Sequence, residues 1–239
     1  MKYTIIATGS GGNCAVAEFS DSKKIVFDMG KGTFAKFCKA GFKVEELTAA
    51  YCSHSHSDHA GDFHKVAVVN KFMETGGLNM LALPVNHNVD CDMFFVENLE
   101  TKEIFIYATD FSSLPEKTEN YLVGLCKKLN GSKTKIFAVI ELNYCEFLLK
   151  KMPIQHQYGS LSHFSDEKFY VLAKKMLNEN PNIRIVSTHA SQRSISFVTS
   201  GWDGNICPPD YVKSQFVVRL KTNRVSFGEA RGSVSPYYF

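Results

Sequence analysis

The amino-acid sequence predicts an α/β fold in which helices cover layers of β-sheet. Ten short runs rich in Val, Ile, Phe and Tyr are typical of strands, and four helix-like segments lie between them. Neither an internal repeat nor a Pro-, Gly- or Ser-rich linker divides the 239 residues. We therefore expect one domain spanning residues 1–239, with strands and helices in packed layers.

The order of these elements predicts a four-layer αββα sandwich with a functional site along one edge. The strand-like runs lie at residues 3–8, 14–19, 24–28, 49–52, 80–83, 94–99, 103–109, 136–142, 184–187 and 216–220. The helix-like segments lie at residues 33–40, 62–74, 116–129 and 166–177. The last segment has Asp166 and Glu167 near its start and lysines later, which complements the helix dipole.

The composition is typical of a globular protein and gives no sign of a disulfide-rich or membrane-spanning chain. Hydrophobic residues make up 44% and charged residues 21%, and 19 Phe and 10 Tyr predict an aromatic core. A net charge of +3 is too small to indicate a polyanionic partner. The 7 Cys include no Cys-x-x-Cys pair, which excludes a Cys-based zinc site of that type. Without a signal-like segment or a stretch that could span a bilayer, we expect no membrane association and a reducing cytoplasm.

The run His54-Ser55-His56-Ser57-Asp58-His59 follows the apolar strand at 49–52 and is the strongest functional signal. Two histidines two residues apart would lie on different faces of a helix, whereas a strand end running into a loop can aim them at one point. Imidazole and carboxylate groups suit zinc, with manganese or iron as alternatives. A metal-free cluster of this kind would be costly to bury, so we predict a metal site.

This His-x-His-x-Asp-His pattern resembles the signature of the metallo-β-lactamase superfamily, and the rest of the chain supplies similar motifs in the same order. The resemblance implies that Asp28 orients the histidine loop without binding metal. It also implies further ligands that each follow a strand, namely His87, Asp110 and His189. His64 competes weakly with His87, because it lies in the helix-like segment after the main motif.

The resemblance implies two divalent ions, with zinc expected and manganese as the alternative. A carboxylate such as that of Asp110 can bridge two ions about 3.5–4 Å apart. One ion would take His54, His56, His87 and Asp110. The other would take Asp58, His59, Asp110 and His189.

Two further motifs are similar to the phosphodiesterase branch that includes ribonuclease Z. They are His163, just before a predicted helix, and Glu141, at a strand end. In that branch the extra histidine acts on the scissile phosphate and the glutamate steers it, so catalytic roles are expected for Asp58, His163 and Glu141. The pattern His-x-Ser-x-Arg at 189–193 also matches.

The opening Gly9-Ser10-Gly11-Gly12-Asn13-Cys14 resembles small bacterial and phage members that act as exonucleases or phosphodiesterases. We accordingly expect Asn13, Ser191 and Arg193 to bind substrate. No long glycine-rich insertion resembles the transfer-RNA-gripping arm of ribonuclease Z, and there is no room for the extra domain of the large RNA-processing nucleases. Transfer-RNA maturation is therefore not expected.

The expected reaction is hydrolysis of a phosphodiester by a hydroxide that two metal ions activate. Nucleic acid ends and cyclic nucleotides are both possible substrates. Degradation of cyclic nucleotide immune signals by a phage enzyme is one such possibility. Hydrolysis of a thioester or lactam is an alternative, although it has no evident need for His163 with Glu141. A non-enzymatic metal-bound binding module is a third reading. The aromatic tail at 236–239 suggests a homodimer.

Overall fold

Two five-stranded β-sheets dominate the structure, a computed structural model that describes residues 1–67, 77–144, 146–149, 161–189 and 235–238. The strands are β1 Lys2–Ala7, β2 Cys14–Glu18, β3 Lys24–Phe27, β4 Leu47–Tyr51, β5 Leu78–Val85, β6 Cys91–Asn98, β7 Glu103–Ala108, β8 Lys135–Glu141, β9 Arg184–Thr188 and β10 Ser235–Tyr238. The helices are α1 Thr33–Lys39, α2 Ser57–Ala60, α3 Glu116–Lys128, α4 Glu146–Leu149 and α5 Asp166–Glu179.

The first sheet has the strand order β10-β1-β2-β3-β4 and the second has the order β5-β6-β7-β8-β9. In the first sheet only β3 and β4 are parallel. In the second sheet β6 is antiparallel to both β5 and β7, whereas β7, β8 and β9 are parallel. Strands β5, β7, β8 and β9 therefore all point the same way, and their carboxyl ends share one edge.

The core between the sheets follows from the alternation of side chains along each strand. In β7, Phe105 and Tyr107 face the first sheet, whereas Ile104 and Ile106 face the helices. The ring of Phe27 in β3 stacks on that of Tyr107 at a centroid distance of 4.7 Å. Aromatic residues from both sheets thus fill the central layer, as the composition predicts.

Helices cover the outer face of each sheet and complete the predicted four-layer αββα sandwich. Phe37 of α1 packs with Val26 outside the first sheet. Leu122 of α3 and Phe169 of α5 pack outside the second. Helix α5 is capped at its N-terminus by Ser165, whose hydroxyl accepts a hydrogen bond from the backbone N–H of Lys168. None of the helices in the described ranges is long and apolar enough to cross a bilayer.

Two local predictions differ from the structure or fall outside it. The helix predicted at 62–74 is replaced, in its described part, by a short 3₁₀ turn, Phe63–Lys65. The reason is that Asp62 is tied to the segment after β3 and to α1, because its N–H donates to the carbonyl of Met29 and its carboxylate accepts from the N–H of Phe34. Residues 68–76 and the strand predicted at 216–220 lie outside the described residues.

The tail at 235–238 forms the edge strand β10, which pairs antiparallel with β1 through Lys2 opposite Tyr238. An intrachain pairing therefore accounts for the tail, which was the observation that suggested a homodimer.

Candidate active site with two ligand groups

The proposed metal ligands meet at the edge where the parallel strands end. His54 and His56 follow β4, and His87, Asp110 and His189 follow β5, β7 and β9. Asp58 and His59 lie on the four-residue helix α2 rather than in the expected loop. One helical turn brings both side chains to the cluster, so the structure gathers all seven residues that the sequence suggests. His64 is exposed and lies outside every group of residues arranged to hold an ion.

The first ligand group consists of His54, His56, His87 and Asp110, whose ligand atoms lie within 4.8 Å of one another. His56 Nδ1 is 2.9 Å from His54 Nε2 and 3.4 Å from His87 Nε2. Asp110 Oδ2 is 3.8 Å from His54 Nε2. Ligand atoms around a tetrahedral zinc with bonds near 2.1 Å are separated by about 3.4 Å. The four donors therefore fit a zinc-sized ion.

The second group combines Asp58, His59 and His189, with Asp110 at its border. His59 Nε2 lies 3.9 Å from Asp58 Oδ2 and 3.3 Å from Asp110 Oδ2. His189 Nε2 lies 3.0 Å from Asp110 Oδ1. Asp110 thus stands between the two groups and offers oxygen atoms to both.

Two buried atoms at this second group, Asp110 Oδ1 and His189 Nε2, have the chemistry of cation ligands. Asp110 Oδ1 and His189 Nε2 approach closely but lie outside hydrogen-bond geometry, and neither has another partner in the described part of the chain. A buried polar atom without a partner is destabilising by about 1–3 kcal/mol. An ion between the oxygen and the ring nitrogen would satisfy both, which agrees with the chemistry of the donor set.

The pKa values of the ligand histidines are shifted in opposite directions. Burial, and then the proximity of His59, lowers the pKa of His54 to about 3. Burial alone would lower the pKa of His59, but the carboxylates of Asp28 and Asp110 outweigh it and raise the pKa to about 10. The pKa of His189 is likewise raised despite burial, chiefly by Asp110. The buried carboxylates therefore favour the protonated forms of His59 and His189, and a metal ion held there would have to displace those protons.

Asp28 lies behind the ligands, fully buried, as expected for a residue that orients the histidine loop. Its Oδ2 is 2.8 Å from His59 Nδ1 and accepts a hydrogen bond of 3.1 Å from Tyr107 Oη. Its Oδ1 accepts a 2.7 Å hydrogen bond from the backbone N–H of Ser53. Tyr107 reaches Asp28 from the other sheet, and no sequence pattern indicated this contact.

Glu141 contacts His163, as expected for a residue that steers that histidine, and it also contacts His189. Its Oε1 is 2.7 Å from His163 Nδ1 and 3.0 Å from His189 Nδ1. Its Oε2 accepts a 2.7 Å hydrogen bond from the N–H of Phe111. Asp110, Glu141, His163 and His189 also lie close enough to hold an ion, but both Glu141 oxygens and His163 Nδ1 are already engaged.

His87 and His189 are each held by a neighbour that the sequence did not indicate. His87 Nδ1 is 3.2 Å from the carbonyl oxygen of Ser162, the residue before His163. The Asn143 amide donates a 2.9 Å hydrogen bond to the carbonyl of His189 and lies 3.2 Å from its Nδ1. With Nδ1 occupied in both rings, Nε2 is left for a metal ion.

Asn13 lies inside the protein beside His59, and the substrate contact expected of it stays a prediction. Its Oδ1 accepts from the N–H of Gly9, and its Nδ2 is 2.8 Å from His59 Nε2 and 3.3 Å from the carbonyl of Asp58. Only 2% of Asn13 is exposed, so its amide serves to hold the loop against α2. Ser191 and Arg193 lie outside the described residues.

The backbone adopts a left-handed conformation at three residues of the site, each just after a strand. The φ angles are 57° at Asp28, 58° at Asp110 and 60° at His189. These are three of the five non-glycine residues with positive φ in the described ranges. Such φ values are uncommon and concentrate at functional sites, and Asp, Asn and His tolerate them best. The turn after each strand thereby points the side chain into the edge of the sandwich.

Comparisons with known proteins agree with this architecture. The profile of a family described as anti-Pycsar protein Apyc1 matches residues 9–97. The anti-Pycsar protein Apyc1 of Bacillus phage 010DV004 is 31% identical over 180 residues, which cover 71% of this chain and 67% of that protein.

Two solved structures are similar in fold. Human tRNase Z, short form, has a TM-score of 0.59 at 16% identity and covers 81% of this chain and 94% of its own. The metallo-β-lactamase fold protein YhfI from Bacillus subtilis has a TM-score of 0.54 at 15% identity and covers 84% and 94%. The likeness to these structures establishes the metallo-β-lactamase fold, and the phage relative places the chain in the Apyc1 family of anti-Pycsar proteins.

Proposed function

We propose that this chain is a metal-dependent phosphodiesterase that hydrolyses cyclic nucleotides, and that it acts against a nucleotide-based defence as its family name implies. The proposal depends mainly on the position of Asp110, which lies between the two ligand groups and beside the His163–Glu141 pair. Membership of the Apyc1 family favours cyclic nucleotides over nucleic acid ends.

The residues that would hold the ions are the seven described above, with Asp110 shared by the two groups. When bound, a pair of divalent ions supplies charge for the phosphate oxygens and lowers the pKa of a water molecule to about 7. The protein's own contribution is a rigid arrangement of donors, since His54, His59, Asp110 and His189 are all buried. Two zinc ions suit these imidazole-rich groups best, with manganese as the alternative.

His163 is proposed to handle the proton of the leaving oxygen. Its ring lies 5.4 Å from that of His189 and 5.8 Å from that of His87, so it borders both ligand groups. The side chain is 19% exposed, and Nδ1 donates to Glu141 while Glu141 stays ionised. Burial opposes the ionised form of Glu141, but its hydrogen bonds with His163 and His189 keep its pKa below the ordinary value. A carboxylate there fixes the ring and leaves Nε2 to face the substrate.

The substrate assignment can be tested with a panel of phosphodiesters. Purified protein loaded with zinc or manganese should open purine and pyrimidine 3′,5′-cyclic mononucleotides to nucleoside monophosphates. Single- and double-stranded nucleic acid should be poorer substrates, and chelator should abolish hydrolysis until metal is returned. Asp110→Asn serves as the control for contaminating phosphodiesterases.

The alternative reactions are measured in the same panel. Turnover of a thioester or of nitrocefin above that of every phosphodiester would replace the proposal with acyl hydrolysis. An absence of turnover on all substrates, in protein that holds two ions, would instead favour a binding module.

Residues 1–239 are proposed to form one domain that acts in the cytoplasm. A homodimer stays a prediction. The tail that suggested it pairs with β1 of its own chain. Light scattering at micromolar concentration would contradict pairing if it gave the monomer mass.

A further inference from the structure

We propose that Ser53 is a positioning residue. Asp28 contacts His59 directly, and the Ser53 hydroxyl connects the same carboxylate to His54. One buried carboxylate would then fix the ring orientation of one ligand in each metal group. The inference rests on the proposed function, since it takes His54 and His59 as ligands of different ions.

The contacts of Ser53 join the two histidines to Asp28. Ser53 Oγ lies 2.9 Å and 3.1 Å from the two carboxylate oxygens of Asp28. The same oxygen lies 3.0 Å from His54 Nδ1 and 3.2 Å from His59 Nδ1. Ser53 is 4% exposed and Asp28 is fully buried, so water does not compete for these contacts.

The protons of this cluster can be placed by exclusion. His54 faces the other ligands of its group through Nε2, so its ring proton must be on Nδ1. The nearest acceptor for that proton is Ser53 Oγ. The other neighbour, Cys91 Sγ, is a weak acceptor at 3.7 Å and donates its own proton to the carbonyl of Thr109.

Ser53 Oγ must then donate its single proton to a hydrogen bond with Asp28, whose carboxylate oxygens are acceptors. The order is His54 Nδ1–H to Ser53 Oγ, and Ser53 Oγ–H to Asp28. His59 needs no relay, because its Nδ1 is already 2.8 Å from Asp28 Oδ2. The hydroxyl is therefore needed by His54 and dispensable for His59.

This asymmetry separates a positioning role from a general structural one. Removing the hydroxyl leaves the backbone N–H of Ser53 on Asp28 Oδ1, and leaves both Tyr107 and His59 on Oδ2. The loop should therefore stay in place. His54 alone would lose the partner that fixes its tautomer, so only the first ligand group should weaken.

The experiment compares Ser53→Ala with Ser55→Ala, an exposed serine in the same loop. Metal-free protein is titrated with zinc, and ring ¹⁵N signals of His54 and His189 show which group fills. In Ser53→Ala the affinity of the first group should fall about 10–100-fold, as for lost partners of metal-bound histidines. The second group should change less than about twofold, well below that range. Ser55→Ala should match wild type.

The His54 tautomer, read from long-range ¹H–¹⁵N spectra of metal-free protein, provides a measurement independent of activity. The wild type should carry the Nδ1–H form, and Ser53→Ala should give a mixture of both forms. Unchanged affinities and an unchanged tautomer in Ser53→Ala would overturn the inference, as would equal weakening of the two groups. If wild-type protein binds no metal, the proposed function fails, while the tautomer spectra still decide the role of Ser53.

Discussion

Gly30→Ala is expected to disrupt the metal site without touching a ligand side chain. Gly30 follows β3 and packs directly against the backbone of the helix that carries Asp58 and His59. A Cβ atom at Gly30 would lie 1.9 Å from the carbonyl oxygen of Asp58 and 2.8 Å from the backbone nitrogen of Asn13. Gly30 has no positive φ, so the change is purely steric.

The size of the effect follows from these distances. Carbon and oxygen atoms rest at about 3.4 Å, so the backbones of Gly30 and Asp58 must part by about 1 Å or more. Neither can yield easily, because Gly30 N–H donates to Asn13 O and Asn13 N–H donates to Asp58 O. Overpacking of this kind destabilises a fold by about 1–3 kcal/mol. A misplacement of about 1 Å lowers an enzymatic rate by roughly 10²-fold.

Three measurements on Gly30→Ala test this reasoning. The melting temperature should fall by about 2–12 °C, the range that the destabilisation implies for a chain of this size. Zinc titration should show weaker binding in the group that contains Asp58 and His59, and turnover should fall by about 10²-fold. Gly11→Ala is the matched control, since its Cβ would meet nothing within 4 Å.

Wild-type metal affinity and turnover in a folded Gly30→Ala protein would refute the argument. That result would mean that the α2 turn can shift by an ångström without consequence for the site.

Further expectations concern the shared carboxylates and the charge of the site. Asp110→Asn should weaken the binding of both ions, which elemental analysis would detect. One ion bound with wild-type affinity would contradict a bridging role for Asp110. His163→Ala should lower turnover about 10²–10⁴-fold with both ions retained. Glu141→Gln should lower turnover and also weaken the second ion, because Glu141 Oε1 contacts His189; unchanged zinc titration would exclude this. Nearby carboxylates raise the pKa of His59 to about 10 and raise the pKa of His189 above its ordinary value, which favours the protonated rings in metal-free protein. Metal must displace those protons, so zinc affinity should rise between pH 6 and 9, by about tenfold per pH unit for each proton released. Calorimetry in buffers of different ionisation enthalpy counts these protons, and a pH-independent affinity would contradict the assignment.

The layers and the site's edge could be predicted from the sequence because they depend on local pattern and chain order. A short continuous apolar run, such as the one that follows Glu103 in β7, is typical of a strand buried on both faces, and it can be recognised without coordinates. The His54–His59 run directly after an apolar strand locates one half of the site. The resemblance to known motifs then identified His87, Asp110 and His189, which no local pattern singles out.

The supporting contacts could not be predicted, because they join segments far apart in sequence. Tyr107 reaches Asp28 across the interface between the sheets. Glu141 meets His189 only because β8 and β9 lie side by side. The resemblance of the loop at 9–14 to small bacterial and phage members suggests Asn13 as a substrate contact, but it does not indicate that packing buries Asn13 against α2.

The left-handed backbone at Asp28, Asp110 and His189 restricts how this chain can lose its chemistry through mutation while keeping its shape. Asn, Asp, His and Gly accept that conformation, whereas other residues add strain of about 1–3 kcal/mol to the loss of the functional group. Selection for folding alone would therefore remove most replacements. Inactive descendants that remain folded should carry Asn or Gly at these positions. A relative with Asn at the position of Asp110 would then be a chain that has drifted into a new role rather than a damaged enzyme.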